Sequence, residues 1–302
     1  MVQVESSKGK FVLDYARAIA SFENAMNKFP VKKILYKTIF RGKGLEFDSY
    51  RNFEQDDDAS MIDWKASLRA NTLLARKYVE ERDLNVYFLV DVSNSVLFGS
   101  TNKLKAEFIA EFVAALSHLV ISAGDRIGLV MFNDNIVKIL RASSDKNQFA
   151  LFRKFLSDAS LYGGGFDLDK AVDYSLRNVN TPYTIFILVS DFIKTKKSSL
   201  RNLKLMGHRF ETLAVVVRDK LDEELPKTHY QFSIKDPYSG RQMILDPSIA
   251  AEKFHENVLL QKKMLKNMFK HSNIDVIELK SNESFAMPLA TFLRARARGS
   301  RL

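Results

Sequence analysis

The chain has 302 residues, of which 46% are hydrophobic and 27% are charged, and it contains no cysteine. This size and apolar content suffice for one large folded domain with elaborations, and the absence of thiols excludes disulfide bonds, thiolate metal sites and a cysteine nucleophile. The formal net charge of +10 is spread along the chain, so we interpret it as a solvated basic surface and keep nucleic-acid binding as the alternative.

Hydropathy predicts a cytoplasmic protein without a membrane span. The apolar runs are far shorter than the roughly 20 residues that cross a bilayer. The first residues, MVQVESSKGK, lack the apolar core of a signal peptide.

Residues 1–83 predict an N-terminal elaboration packed on a larger core. Apolar side chains at helical spacing predict an amphipathic helix over residues 11–29, and Pro30 follows where a helix should end. The acidic run EQDDDAS predicts a loop between two short extended pieces, SYRNF and MIDW. Trp64, the only tryptophan, is expected to pack this elaboration onto the sheet.

Beyond this elaboration, apolar strands alternate with helical segments. Strands are predicted over residues 85–90, 126–132, 136–140, 183–189, 212–217 and 274–279, and helices over residues 103–122, 146–157, 168–178, 198–206, 249–271 and 285–296. Such alternation implies crossover connections, and hence a mostly parallel sheet with helices on both faces. We therefore predict an α/β, doubly wound domain over residues 84–302, with an irregular insertion near 219–248 that carries a small hairpin at Tyr238-Ser239-Gly240.

The polar pattern DVSNS follows the first strand of this domain. Residues two apart in an extended segment point the same way, so Asp91, Ser93 and Ser95 can present one carboxylate and two hydroxyls to a common point. Asp191, after the strand YTIFILV, reaches the same edge of a parallel sheet. Few charges and several neutral oxygens suit Mg²⁺ or Mn²⁺. The alternative is structural, with serines that cap the next helix and an aspartate that accepts loop amides.

The order of the motifs is similar to that of a known fold. DVSNS, GDRIGLVMF, a glycine-rich loop with Asp167, and ILVSDF resemble the von Willebrand factor A fold with its metal-ion-dependent adhesion site. The flanking text, from FRGKGLEFDSYRNF through MIDWKASLRANTLLARKYVEER to AMPLATFLRARAR, is similar to the bacterial and archaeal family named domain of unknown function 58. The resemblance spans nearly all of the chain from about Arg41.

This resemblance implies a set of metal ligands. Asp91, Ser93 and Ser95 correspond to the first loop of the adhesion site, and Asp191 corresponds to the acid of its third loop. The second loop departs from the pattern, because Phe166 precedes Asp167 where the adhesion site usually has threonine, and phenylalanine cannot ligate a hard cation. Either water or Asp167 replaces the missing oxygen, or the ion is held weakly or not at all.

The resemblance also implies a function. We expect a non-enzymatic interaction module whose divalent cation binds an acidic side chain of a protein partner, with a MoxR-type AAA ATPase as the implied partner in assembly or maturation of protein complexes. The alternative is a metal-dependent phosphoesterase or nuclease that uses Asp91, Asp167 and Asp191. The sequence contains no HExxH, P-loop or GxSxG motif, so a zinc enzyme, a nucleotide hydrolase and a serine hydrolase are unsupported.

Overall fold

The structure is a computed structural model that describes residues 11–27, 46–54, 59–79, 83–101, 103–226, 228, 230–236 and 238–297. The helices within these residues are α1 (Tyr15–Asn27), α2 (Trp64–Ala70), α3 (Lys105–Ser122), α4 (Gln148–Leu156), α5 (Leu168–Asn178), α6 (Leu200–Arg209), α7 (Pro247–His271) and α8 (Ala286–Ala297). The strands are β1 (Glu46–Asn52), β2 (Leu74–Val79), β3 (Asn85–Asp91), β4 (Arg126–Phe132), β5 (Ile136–Ser143), β6 (Thr184–Ser190), β7 (Glu211–Arg218), β8 (Phe232–Lys235), β9 (Gln242–Leu245) and β10 (Asp275–Lys280).

The main sheet has the strand order β10-β7-β6-β3-β4-β5. Its neighbouring strands are parallel except at one edge, where β5 runs antiparallel to β4. Every residue of β3 and of β6 is buried, because helices cover both faces of these central strands. The predicted fold class, a doubly wound and mostly parallel α/β sheet, is confirmed, and the helices and strands predicted after residue 84 are found, most of them with shifted ends.

Two apolar clusters hold the helices on the two faces of the sheet. On one face, Phe22 of α1, Phe112 of α3 and Leu289 of α8 belong to one cluster of buried side chains. The Phe285 ring, just before α8, meets the rings of Phe108 and Phe112 edge-on at 5.7 and 5.6 Å. The cluster on the other face takes its helical side chains from α5, α6 and α7. The core therefore lies on both sides of the central strands that carry the candidate site.

Helix α1 is tied to α3 by buried carboxylates. The backbone amide of Val12 donates to Glu107 Oε1 at 2.7 Å, and that of Asp14 donates to Glu111 Oε1 at 3.0 Å. Asp14 caps α1, because its Oδ1 accepts the backbone amide of Arg17 at 2.9 Å, and the helix therefore begins at Tyr15 rather than at residue 11 as predicted. The predicted helical end at residues 28–29 lies outside the described residues.

The segment around Trp64 differs from its prediction. The strands β1 and β2 form a separate antiparallel pair. The predicted extended piece MIDW leads instead into α2, because the Asp63 carboxylate accepts the backbone amides of Lys65 and Ala66 at 3.1 Å and so caps the helix. Trp64 is 64% exposed, so the expectation that it packs onto the sheet is wrong. The acidic residues 55–58 lie outside the described residues.

The chain between β7 and α7 carries the predicted hairpin. Strands β8 and β9 pair antiparallel, with Phe232 opposite Leu245 and Lys235 opposite Gln242. Their turn includes Gly240, whose φ of 68° favours glycine. Of the helices that the structure describes, none combines the length and apolar character of a membrane span.

Candidate functional site

The candidate site lies at the carboxyl edge of the main sheet, where the strand order reverses. Strand β3 has β4 on one side and β6 on the other, and it runs parallel to both. The residues that follow β3 and those that follow β6 therefore leave the sheet side by side. Ligands of open α/β sheets bind at this kind of crevice. We refer to residues 91–95 as the first loop, 163–167 as the second loop and 190–193 as the third loop.

The first loop turns its polar side chains inward. Asp91 is fully buried, and its Oδ1 accepts the backbone amide of Ser93 at 2.8 Å. Its Oδ2 accepts the hydroxyl of Ser190, from the end of β6, at 2.6 Å. Ser93 Oγ and Ser95 Oγ lie 3.1 Å apart, and both residues are buried. The alternation of DVSNS thus brings one carboxylate and two hydroxyls together at the edge of the sheet.

The hydroxyl geometry provides a test of fit for a hard cation. Adjacent ligands of octahedral Mg²⁺, each about 2.1 Å from the ion, lie about 3 Å apart. Ser93 Oγ and Ser95 Oγ are hydrogen-bonded to each other at 3.1 Å, a separation that is compatible with that spacing. Ser93 precedes the short 3₁₀ turn at Asn94–Leu97 without a side-chain capping bond, and the next helix, α3, follows Leu104 rather than either serine. Helix capping by the serines is therefore not what the structure shows, whereas Asp91 does accept a loop amide, that of Ser93, as the structural alternative expects.

The third loop adds Asp191 together with a buried cation. Asp191 Oδ1 accepts the backbone amide of Ile193 at 3.0 Å, and Oδ2 accepts Lys105 Nζ at 2.8 Å. Lys105, at the start of α3, is 1% exposed and also donates to Asp222 Oδ2 at 2.8 Å. A buried ammonium is stable only with such partners. Sequence reasoning missed Lys105 and Asp222, because nothing in KAEFIAEF marks a lysine as buried.

Burial and neighbouring charges shift the pKa values of Asp91 and Asp191 in opposite directions. Burial and the neighbouring negative charge of Asp191 raise the pKa of Asp91 to about 7. Burial acts in the same direction on Asp191, but the Lys105 ammonium outweighs it and holds the pKa of Asp191 below its usual range, with help from the Ser95 hydroxyl. The pKa of Lys105 is raised, because the two carboxylates outweigh its burial. Asp91 is thus the carboxylate whose charge Lys105 does not neutralise, and a cation beside it would stabilise that charge.

The second loop joins the site through its backbone. Gly163 N donates to Val92 O at 2.7 Å, and Asn94 N donates to Gly164 O at 3.1 Å. Gly163 and Gly164 have φ values of 130° and 86°, a region that favours glycine. A Cβ on Gly164 would lie 2.7 Å from Asn133 Nδ2, so the close approach also requires glycine there.

The side chains of the second loop, Phe166 and Asp167, make their described contacts with β4 and α5. The Phe166 ring packs on Phe132 with 6.0 Å between centroids. Asp167 caps α5, with Oδ1 accepting the backbone amide of Lys170 at 3.2 Å. In the part of the chain that the structure describes, no group of three or more histidine, aspartate or glutamate side chains is placed to hold one metal ion. The structure thus gathers Asp91, Ser93, Ser95 and Asp191, whereas it shows no contact between Asp167 and these four residues.

A side chain from the insertion completes the cluster. Tyr238 Oη, in the turn of the β8–β9 hairpin, lies 3.2 Å from Ser93 Oγ. The Lys194 ammonium, just past the third loop, lies 5.1 Å from the centroid of the Tyr238 ring. The sequence predicted the turn at this tyrosine but gave no signal that the turn folds back on the first loop.

Comparison with known proteins gives a relative and two solved structures. The uncharacterized protein Rv1480 of Mycobacterium tuberculosis is 24% identical over 263 residues, which cover 86% of this chain and 82% of that protein. The conserved hypothetical protein BatB of Bacteroides thetaiotaomicron matches at 14% identity and a TM-score of 0.48, over 72% of this chain and 100% of that chain. The SpRpn10 VWA domain matches at 12% identity and a TM-score of 0.41, over 70% of this chain and 95% of that chain.

A family model covers most of the described sheet and the candidate site. The model is described as "Protein of unknown function DUF58", and it matches residues 49–263. This range includes all three loops and the hairpin. Because the match extends over more than half of the chain, the protein belongs to the DUF58 family.

Proposed function

We propose that this chain is a non-enzymatic protein-interaction module whose site holds Mg²⁺ or Mn²⁺ and, through it, an acidic side chain of a partner. The observation that carries the proposal is the 3.1 Å separation of the Ser93 and Ser95 hydroxyls beside two buried aspartates. A bound ion would supply a hard positive charge with coordination places left for an outside carboxylate.

Each residue has a distinct role in this proposal. Ser93 and Ser95 offer neutral oxygen ligands, which leave the ion's charge largely uncompensated. Asp91 and Asp191 hold the ion by charge, directly or through water. Lys105 neutralises part of the charge of Asp191, since its Nζ lies 2.8 Å from Asp191 Oδ2. A site with so little net negative charge favours an additional carboxylate from outside. Asp167 has no role at the ion in this proposal, because it caps α5.

A titration of the protein with Mn²⁺ in a calorimeter tests the ion. We expect saturable binding by the wild type and its loss in Asp91→Asn, which removes a charge and keeps the side-chain shape. Asp173→Asn is the matched control, because the Asp173 side chain is 46% exposed on α5 and pairs only with Arg177 at 3.2 Å among the described contacts. Equal binding by wild type and Asp91→Asn would falsify the assignment.

For the partner, we propose a MoxR-type AAA ATPase, as the sequence resemblance implies. Such an ATPase should copurify with the wild type in Mg²⁺, and the association should weaken at least tenfold in the double variant Ser93→Ala with Ser95→Ala. Addition of EDTA should weaken the wild-type complex in the same way. An association indifferent to EDTA and to both substitutions would remove the ion from the interface.

The enzyme alternative has less support. Two-metal phosphoesterases surround their ions with several carboxylates. The three loops offer Asp91 and Asp191 as clustered aspartates, and Lys105 pairs with Asp191 and with the neighbouring Asp222. Cleavage of a generic phosphodiester in Mn²⁺, abolished by Asp191→Ala, would favour the enzyme over the interaction module.

Nucleic-acid binding is a second candidate because of one basic cleft. A cleft of about 980 Å³ between α6 and the end of α7 is lined by basic side chains, namely Lys197, Arg201, Lys204, His208 and His271. No Phe, Tyr or Trp side chain is among its described lining residues, so the two histidines offer the only aromatic rings for stacked bases among the described lining residues. Salt-dependent binding of RNA or DNA that falls in Arg201→Glu with Lys204→Glu would support this candidate.

A further inference from the structure

The hairpin of the insertion supplies a ligand from the chain itself to the candidate site. Tyr238 Oη, Ser93 Oγ and Ser95 Oγ form a chain of hydroxyls with separations of 3.2 and 3.1 Å. Ser93 has no exposed surface, and Tyr238 is half-buried. The phenol is therefore hydrogen-bonded to Ser93, one of the hydroxyl groups that the proposed function assigns to the ion.

We propose that the β8–β9 hairpin is a lid, and that Tyr238 closes the site by occupying Ser93 until an outside ligand displaces it. This inference rests on the proposed function, because the displaced contact is the one that a cation and a partner's carboxylate would replace. A phenol hydroxyl and an outside ligand cannot both occupy the same side of the Ser93 hydroxyl. The site of the resting protein is thus self-ligated.

The hairpin is built so that it can move without unfolding the domain. No described residue of 230–245 belongs to either apolar cluster of the core. Its apolar side chains are mostly exposed, with Ile244 at 74% and Met243 at 60%. A two-stranded hairpin without such packing is only marginally held in place. Contacts at its tip therefore contribute a large share of the free energy that keeps it closed.

The tip itself is preformed. Asp236 Oδ1 accepts the backbone amide of Tyr238 at 3.0 Å, and Asp236 Oδ2 accepts the Ser239 hydroxyl at 2.7 Å. These local bonds fix the direction of the tyrosine within the turn. The hairpin can then leave and return as a unit, with Lys194 against the Tyr238 ring as its second contact at 5.1 Å.

A buried ammonium connects the site to the root of the same insertion. Lys105 Nζ lies 2.8 Å from both Asp191 Oδ2 and Asp222 Oδ2. Asp222 Oδ2 also accepts the backbone amide of Asp219 at 2.9 Å, where the insertion leaves β7. A cation held at Asp191 would repel the Lys105 ammonium. The same ammonium pairs with Asp222 and so fixes the first turn of the insertion. Ligand at the site and position of the insertion are therefore linked.

Removal of one oxygen tests the lid. Tyr238→Phe keeps the ring but removes the phenol oxygen from Ser93. We therefore expect Mn²⁺ to bind about fivefold more tightly than to wild type, the factor that corresponds to one hydrogen bond of about 1 kcal/mol. Tyr230→Phe is the matched control, since Tyr230 lies in the same insertion, is 81% exposed and should change nothing. Calorimetric titration measures the affinities.

Amide hydrogen exchange of residues 230–246, followed by mass spectrometry without any metal, gives a second readout. We expect faster exchange there in Tyr238→Phe and in Ser93→Ala, and wild-type exchange in Tyr230→Phe. Unchanged exchange in Tyr238→Phe and Ser93→Ala would overturn the lid proposal. Faster exchange in Tyr238→Phe with a Mn²⁺ affinity equal to that of wild type would also overturn it. If neither the wild type nor Tyr238→Phe binds Mn²⁺, the proposed function fails. Hydrogen exchange alone then decides whether Tyr238 holds the hairpin on Ser93.

Discussion

The buried carboxylate of Asp91 should make the metal-free protein less stable as the pH rises. Burial and the charge of Asp191 raise the pKa of Asp91 from 3.8 to about 7. The folded chain therefore binds this proton more tightly than the unfolded chain does, and the free energy of unfolding falls as the pH rises from about 4 to about 7. At about 1.4 kcal/mol per pKa unit, the cost above that range is at most roughly 4 kcal/mol.

Asp91→Asn removes the charge, keeps the bond from Ser93 and reverses the direction of the bond with Ser190. Its amide oxygen can accept the backbone amide of Ser93, and its NH₂ group can donate to the Ser190 hydroxyl. We expect the metal-free variant to be more stable than wild type by about 2 kcal/mol at pH 8, half of the ceiling, because bonds to a neutral amide are weaker than bonds to a carboxylate. The advantage should shrink as the pH is lowered from 8 toward 4.

Urea unfolding in EDTA at several pH values measures this difference. The control variant Asp173→Asn, at a half-exposed position outside the site, should stay within about 0.5 kcal/mol of wild type at every pH. An Asp91→Asn protein that is less stable than wild type at pH 8, or one whose advantage does not depend on pH, would refute the reasoning. Together with lost Mn²⁺ binding, the expected result would show that this aspartate serves binding at the expense of stability.

Two further substitutions test the surroundings of the site. Lys105→Met should lower the free energy of unfolding by about 3 kcal/mol or more, because it leaves Asp191 buried without its cation, and a loss below 1 kcal/mol in urea unfolding would contradict the buried pair. Gly164→Ala should cost about 1–2 kcal/mol, since the residue has a φ of 86° and its Cβ would meet Asn133 Nδ2 at 2.7 Å. Here a thermal unfolding midpoint equal to wild type would show that the second loop adjusts freely.

The sequence by itself determined the main sheet and the place of the first loop and Asp191 at its carboxyl edge. Alternation of apolar strands and amphipathic helices requires crossovers, so the parallel sheet followed from patterns that are local in the chain. The position of DVSNS and Asp191 at one edge followed as well, because parallel strands end on the same side. Local capping was misjudged at MIDW, where the Asp63 side chain starts a helix that hydropathy does not signal.

Only the tertiary structure decided which groups neutralise and cover that edge. Lys105 meets Asp191 and Asp222 across 86 and 117 residues, and Tyr238 meets Ser93 across 145 residues. No periodicity or spacing relates positions so far apart, and the side chains involved are of types that usually face solvent. Their partners are set by how α3 and the insertion pack against the sheet, and this packing depends on the whole fold rather than on any one segment.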